Sequence, residues 1–451
     1  MKRTYFAMLL LFWSTVAFMQ QADQHSGENQ ATTTEQSDET HEAESAVTTG
    51  HEEGATQTDA KHGDAHGAAS HEEHGEFDPA ATATHHIGDA NVYTILEAIS
   101  IPLPTILYSK DAGLEMFMSS KFHADPHHHE DGKTAYQGYV MQTGNVKRVV
   151  DPGFPMEGEV FIAGFSSKKE MVDSKEKIVD YVLYEGKEYK LDSRTTWDGG
   201  ALGGGVTSFY DLSMTKNVVA MIFVCILLFI LFRKAANAYV TNAGKAPSGI
   251  QNFFEPLVEF IRDEAAIPFI GKEKYKKYFP FLLSVFFFIL GLNLFGQIPF
   301  FGGVNATGNL SVTLVLALLV FVLVNINGNK HYWQHIFWMP GVPIPVRILL
   351  AMIEIMSLFI KPLTLMLRLA GNISAGHIAI VSFIGLIFIF GQSGKSLLGS
   401  GVGTLISVPL TMFMMSLELI VAFIQAFVFT ILTASYIGAA TEEHHHEEAH
   451  H

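Results

Sequence analysis

Glu354, Lys361 and Arg368 recur at intervals of seven residues inside an otherwise apolar run. Seven helical steps of about 100° return to within roughly 20° of the starting direction, so the three side chains make one polar stripe. Thr364 and Asn372, four residues to either side of Arg368, widen that stripe without leaving its face. A charged group at mid-bilayer costs roughly 2.5–3.5 kcal/mol even on the lenient insertion scale, which makes the stripe a surface built to meet charge or water. Glu354 and Lys361 are able to neutralise one another. Arg368 differs: a guanidinium stays protonated in proteins, and Glu354 lies about 20 Å away along a straight helix at 1.5 Å per residue. A carboxylate supplied by another subunit is the better counter-charge. A second apolar run repeats the pattern more sparsely, with Glu418, Gln425 and Tyr436 seven and then eleven residues apart and close to one helical direction. His377 is the lone imidazole in this apolar hairpin. Two blander roles stay open, Tyr436 as an interfacial anchor and His377 as a satisfied core histidine.

The elements that carry these residues are long apolar helices. The chain of 451 residues is 48% hydrophobic, and its mean hydropathy is +0.23. Both values exceed those of ordinary soluble domains and point to a membrane protein. Apolar runs follow one another at Val218–Phe232, Phe279–Leu294, Leu310–Val324, Ile344–Leu369, Ile378–Phe390 and Val402–Ile437. A span takes about 20 helical residues, so the last run must be tilted, bent or partly interfacial. The expected fold is an all-α polytopic membrane protein of about five spans, the fourth and fifth forming a long tilted hairpin around Gln392 to Gly401. The segment from Arg233 to Lys277 carries Arg233, Lys234, Lys245, Arg262, Lys272, Lys274, Lys276 and Lys277, while Gln297 to Asn309 carries no basic residue. The positive-inside rule then makes the basic segment cytoplasmic, and an outside N-terminus, five spans and a cytoplasmic C-terminus agree with it.

The N-terminal half reads differently. Lys2 and Arg3 precede a short apolar run from Phe6 to Phe18, as in a cleavable secretory signal over residues 1–21, with a short uncleaved anchor as the alternative. Residues 22–85 are rich in Glu, His, Thr, Gly and Ala and poor in large apolar side chains, so they are expected to be disordered and extracytoplasmic. Residues 86–213 carry Gly, Pro and charge punctuation with strand-like runs at Glu159–Ala163 and Ile178–Tyr184, which predicts a small α+β or β-rich extracytoplasmic domain. The membrane domain is expected over 214–441, followed by a His-rich cytoplasmic tail at 442–451. The glycines from Gly199 to Gly205 lack the Lys-Ser/Thr ending of a phosphate loop and read as linker. The His-rich tails and His127 to His129 have no enforced geometry, so no metal site is expected there. The net charge of -16 argues against a nucleic-acid partner, and the one cysteine, Cys225, supports neither a disulfide framework nor a thiolate cluster.

The motif Leu367-Arg368-Leu369-Ala370-Gly371-Asn372, followed by Ala375-Gly376-His377, resembles the signature helix of the F-type ATP synthase a subunit family. Similar patterns stand in Pro247-Ser248-Gly249-Ile250-Gln251, in Asn293-Leu294-Phe295-Gly296 leading to Pro299, in Ser311-Val312-Thr313-Leu314 and in Ile424-Gln425-Ala426-Phe427-Val428-Phe429. The resemblance covers about residues 214–441. It implies a proton-translocating stator subunit of the bacterial cell membrane, with two aqueous half-channels against the c-ring, b subunits as neighbours and the F1 sector as an indirect partner. Arg368 would separate the half-channels. Glu418 and His377 would relay protons on the extracytoplasmic side, Asn372 and Gln425 would hold Arg368 or water, and Glu354 would line the cytoplasmic exit. Lys361, Thr364, Tyr436 and Asn293 are supporting polar groups. No cofactor is implied, and ATP chemistry would belong to other subunits. His377 with Glu418 is similar to the exchanged, mitochondrial-type order of carboxylate and imidazole, and Gly296 stands where some members carry an acid. A haem or copper respiratory subunit would need several intramembrane histidines, yet His331 and His335 fall in a loop. A secondary transporter commonly shows inverted repeats, and none is visible.

Overall fold

The computed structural model describes residues 88–442, apart from 96–98, 125–130, 173–174, 196–206, 242–245, 247, 299–303, 340 and 392–395. The expected signal segment, the acidic 22–85 stretch, His127 to His129, Gly199 to Gly205 and the His-rich tail from 443 onward lie outside the described residues.

The chain first builds antiparallel strands. β1 (Val92–Ile95) pairs with β2 (Ile99–Pro102), and β3 (Pro104–Ser109), β4 (Gly113–Met118) and β12 (Phe209–Asp211) make a three-stranded sheet in the order β12-β3-β4. β5 (Thr134–Tyr136), β6 (Tyr139–Gln142), β7 (Asn145–Val149), β8 (Glu159–Phe161), β9 (Gly164–Val172), β10 (Lys175–Tyr184) and β11 (Lys187–Asp192) form a seven-stranded sheet in the order β8-β5-β6-β7-β11-β10-β9. The region is therefore β-rich, and both strand-like runs of the sequence fall on strands, β8 and β10. Three tight hairpins explain much of its order. Gln137-Gly138, Thr143-Gly144 and Glu185-Gly186 each place two successive residues at positive φ, the two-residue turn whose twist matches that of its flanking strands. The sheets bury two small cores, one around Leu107, Phe122, Tyr139 and Phe209 and the other around Val140, Phe154, Val182 and Leu191.

From residue 216 the chain turns helical: α1 (Lys216–Thr241), α2 (Ile250–Ile261), a π turn over Arg262–Ala266, α3 (Ile267–Ile270), α4 (Tyr275–Gly296), α5 (Leu310–Ile326), α6 (Lys330–Phe337), α7 (Ile344–Phe390) and α8 (Leu397–Thr441). Among the described residues α1, α4, α7 and α8 are long and apolar enough to cross a membrane. The seventeen residues of α5 fall short of that length, and α5 makes a fifth crossing only together with α6, to which it is bent by 106°. The apolar runs at Ile344–Leu369 and Ile378–Phe390 lie on one unbroken 47-residue helix, the first arm of the expected hairpin. The basic segment after α1 is largely helical, since α2 carries apolar residues along one side and docks Phe254 and Ile261 into the helical core.

Small residues bring the helices together. A methyl group at Gly438 on α8 would lie 1.9 Å from the carbonyl oxygen of Phe269 in α3, and one at Gly291 on α4 would lie 2.9 Å from Val224 of α1. α7 and α8 pack along each other, α8 against α4, and α7 against α5. The β-rich region is tied to the helices by Tyr93 and Leu103, which pack with Val218 of α1, Val304 and Val312. Asp89 accepts the Asn217 amide at 3.2 Å, and the Lys216 amide reaches the Ala90 carbonyl at 2.9 Å. Burial raises the Asp89 carboxyl from its ordinary value, against the pull of the Thr215 hydroxyl, Lys216 and Arg194.

Candidate functional site

Most of the polar residues of α7 and α8 gather into two sites at different levels along α7. The first is closed. Glu418 on α8 is 4% exposed, and its carboxylate Oε1 is paired with Nδ1 of His377 on α7. Gly376 gives the pair room, because a Cβ there would come within 3.1 Å of Glu418 Oε1 and push that side chain by a few tenths of an ångström. A buried carboxylate without a partner is costly, so this contact fixes both side chains. Asn293, fully buried near the end of α4, donates to the Ala422 carbonyl at 3.1 Å and accepts the Thr307 hydroxyl at 2.6 Å. Ser374 donates to the Gly308 carbonyl at 3.0 Å. The segment between α4 and α5 is thereby stitched to both α7 and α8 next to the Glu418–His377 pair. Gly296 has a structural reason in this segment: a side chain there would meet the Val304 carbonyl oxygen at 2.4 Å, so an acid at 296 has no room.

The second site is open. A cavity of about 250 Å³ is lined by His331, Tyr332, His335 and Ile336 of α6, Glu354, Leu358 and Lys361 of α7, and Ala439 and Glu442 at the end of α8. A smaller hollow of about 30 Å³ shares Tyr332, Leu358, Lys361 and Ala439 with it and reaches inward to Asn325, Leu365 and Tyr436. Lys361 stands between the two with its ammonium 5.6 Å from the Tyr436 ring centre. Glu354 and Lys361 form no ion pair with each other and line the same cavity, so the alternative in which they neutralise one another does not hold. The frame of this site comes from main-chain carbonyls at the α8 terminus: Asn329 reaches Ala440 at 2.9 Å and Thr441 at 3.0 Å, and Lys274 reaches Thr441 at 2.8 Å.

Arg368 belongs to neither site. It is exposed, beside Leu367 and Leu363, which are also exposed on the uncovered side of α7. Along the helix it sits about 10 Å from Lys361 and about 14 Å from His377 at 1.5 Å per residue. Asn372 and Thr364 share its exposure, and the Thr364 hydroxyl bonds back to the Ile360 carbonyl at 2.9 Å. Gln425 is buried on α8, while Tyr436 is half-buried. The sequence reading thus named most of both sites, but placed His331 and His335 in a mere loop. Their four-residue spacing on a short helical segment was the available signal. Among the described residues no group of three or more His, Cys, Asp or Glu side chains is arranged to hold a metal ion.

Comparison with known proteins agrees with this architecture. Residues 218–438 match the family described as ATP synthase A chain, and residues 82–160 match a family described only as a domain of unknown function. ATP synthase subunit a 2 of Chlorobaculum tepidum is 42% identical over 248 residues, 53% of this chain and 66% of the relative. ATP synthase subunit a of Chlorobium phaeobacteroides (strain BS1) is 42% identical over 249 residues, 53% of this chain and 70% of the relative. The subunit a of Myxococcus xanthus is 38% identical over 267 residues, covering 57% of this chain and 82% of that protein. A multi-pass bundle of apolar helices that carries the Arg368 motif, aligned over most of the length of such relatives, makes this chain a member of the ATP synthase subunit a family, the proton-translocating membrane subunit of the F0 sector.

Proposed function

We propose that the closed and open sites are the two half-channels of this subunit, and that Arg368 is the electrostatic divider between them. One observation carries the reading: an exposed arginine, on an apolar helix side that none of the described residues covers, lies between two groups of polar, titratable residues at different levels along α7. An unpaired guanidinium in a membrane demands a counter-charge, and a carboxylate on the c-ring meets that demand. Such a carboxylate loses its proton on approaching Arg368, because the nearby positive charge favours its ionised form. Protons cannot hop through a guanidinium that stays charged, so the two half-channels do not short-circuit while the ring turns.

On this reading Glu418 and His377 pass protons between the extracytoplasmic side and the ring, and Glu354 receives them on the cytoplasmic side. Asn293 and Gln425 hold the packing around the first site, Asn372 and Thr364 keep the surface near Arg368 wet, and Lys361 and Tyr436 line the inner end of the second. The subunit lies in a bacterial cell membrane with residues 1–21 as signal, the N-terminal region up to residue 213 extracytoplasmic, and the basic segment and C-terminus cytoplasmic. The c-ring covers α7 and α8, and b subunits of the peripheral stalk hold the bundle still. ATP chemistry resides on other subunits. The experiment is ATP-driven proton pumping in inverted vesicles with Arg368→Ala, assembly being checked by co-purification of the c-ring. Loss of pumping in an assembled complex is expected, and normal pumping would remove Arg368 from the mechanism.

A further inference from the structure

We infer that the outer face of the β12-β3-β4 sheet lies against the phospholipid layer around the N-terminal end of α1, a membrane contact separate from the helical spans. Strand register defines that face. Met118 stands opposite Pro104 in the row nearest the helix. Ile106 is flanked by Met116 and by Leu212, whose amide donates to the Ile106 carbonyl at 2.8 Å. In the third row Tyr108 is flanked by Leu114 and Tyr210. The three rows carry no charged side chain. Alternate residues of the same strands, Leu107 and Phe209 among them, point to the other side and fill a core there. An antiparallel sheet with one face in water normally alternates apolar with polar residues. Here the exposed set is aliphatic and aromatic instead: Leu114 and Met116 are 61% and 68% exposed, with no described residue covering them. The exposed side chains of β9 and β11 follow the usual rule, with Lys168 ion-paired to Glu188.

The level of the sheet selects lipid as its occupant. Arg233 and Lys234 are exposed charges on α1, and a hydrocarbon layer of about 30 Å takes about 20 helical residues counted back from them, ending near Ser213. The sheet begins at that level, since the Met214 amide donates to the Pro104 carbonyl at 3.1 Å. Apolar surface is exposed on both sides of it, with Phe223, Ile226 and Phe229 farther along α1. Rows two residues apart are about 7 Å apart along a strand, and the headgroup layer is about 5–8 Å thick, so even upright strands keep the Pro104 and Ile106 rows within it. The two tyrosines come next, and the exposed Lys110 and Asp111 of the β3–β4 turn come last. Apolar, then aromatic, then charged is the order in which residues are sorted across a membrane interface. Leu103, beside Pro104, packs in one cluster with Val304 and Val312, so the contact also steadies the segment after α4 that is stitched to the closed site.

The test uses the complete ATP synthase reconstituted into vesicles of phosphatidylcholine and phosphatidylglycerol, with a trace of phosphatidylcholine carrying a diazirine near the headgroup end of one acyl chain. After illumination, lipid adducts are mapped by mass spectrometry. They are expected on residues 104–118, with β9 as the unlabelled control in the same chain. Met116→Glu should cut the adducts on β3 about tenfold, the scale on which burial of one methionine side chain and desolvation of one carboxylate act. Retention of the c-ring and an unchanged rate of Tyr139 amide exchange show that the variant keeps its fold, because position 116 lies on the face away from the Tyr139 core. Adducts confined to the helices, or adducts on β3 that Met116→Glu leaves unchanged, overturn the lipid contact. Photoreactive methionine at positions 116 and 118 tests the other occupants: cross-links to a second copy, to another subunit or to residues 196–206 of this chain would place protein on the face and overturn the inference as well.

Discussion

The Glu418–His377 site and the Glu354–Lys361 cavity use similar residue types and solve opposite problems. In the first, helix α8 approaches α7 closely enough that a Cβ at residue 376 would crowd Glu418 Oε1 at 3.1 Å, and the largely buried carboxylate and imidazole touch each other. In the second, α6 turns away from α5 by 106° and leaves a pocket whose charged groups stand apart. Closeness makes the first a contact pair. Separation leaves the groups of the second around an open cavity of about 250 Å³. Under the half-channel reading proposed above, protons are exchanged with the two sides of the membrane by different means, through a contact pair on one side and an open cavity on the other.

Chemical rescue tests that contrast most sharply. Glu418→Ala should lower F0 proton conduction by about 10²-fold, the scale of an enclosed proton-transfer group, and formate should not restore it. Glu354→Ala should lower conduction less, about tenfold, and formate should restore it, since a small carboxylate fits a cavity of this size. Equal rescue at both positions would erase the distinction. A smaller effect is expected from Asn293→Ala, which strips the Ala422 carbonyl and the Thr307 hydroxyl of their partner. About 1–3 kcal/mol of local stability should be lost, read as faster amide exchange of the segment after α4. If Glu418 is held by that segment, formate rescue of Glu418→Ala should appear in this background.

The smallest effect concerns the β-rich region on the side of the closed site. Burial raises the Asp89 carboxyl, so the folded state favours its protonated form. That contribution is present in acid and fades as pH rises above the ordinary carboxylate value of 3.8 toward the raised one. Protection of the β-rich region from protease in the intact complex should therefore weaken slightly on going up from acid pH, and Asp89→Asn should flatten the slope. A steeper slope in the variant would show that another group governs the junction.

Much of this was legible in the residues. Seven-residue spacing of Glu354, Lys361 and Arg368 is a helical property and survives any packing, and a charge in an apolar run is conspicuous because its insertion is costly. The strands at Glu159 and Ile178 were also readable, from β-branched and aromatic residues between turn-forming ones. The hairpins at Gln137-Gly138, Thr143-Gly144 and Glu185-Gly186 were harder, because their first residues are poorer positive-φ formers than Asn or Asp. Only the tertiary structure decided which polar residues meet. Glu418 and His377 are 41 positions apart, and their contact depends on how two long helices cross and on a glycine at the crossing. The exclusion of an acid from position 296 depends on a carbonyl from another segment. The cavity beside Glu354 exists because a bend after α5 carries two histidines back over α7, and side-chain periodicity along one helix holds no information about what a neighbouring helix places in front of it. Sequence fixes the chemistry a face can offer through local geometry, while the meeting of two faces is set by packing between distant segments.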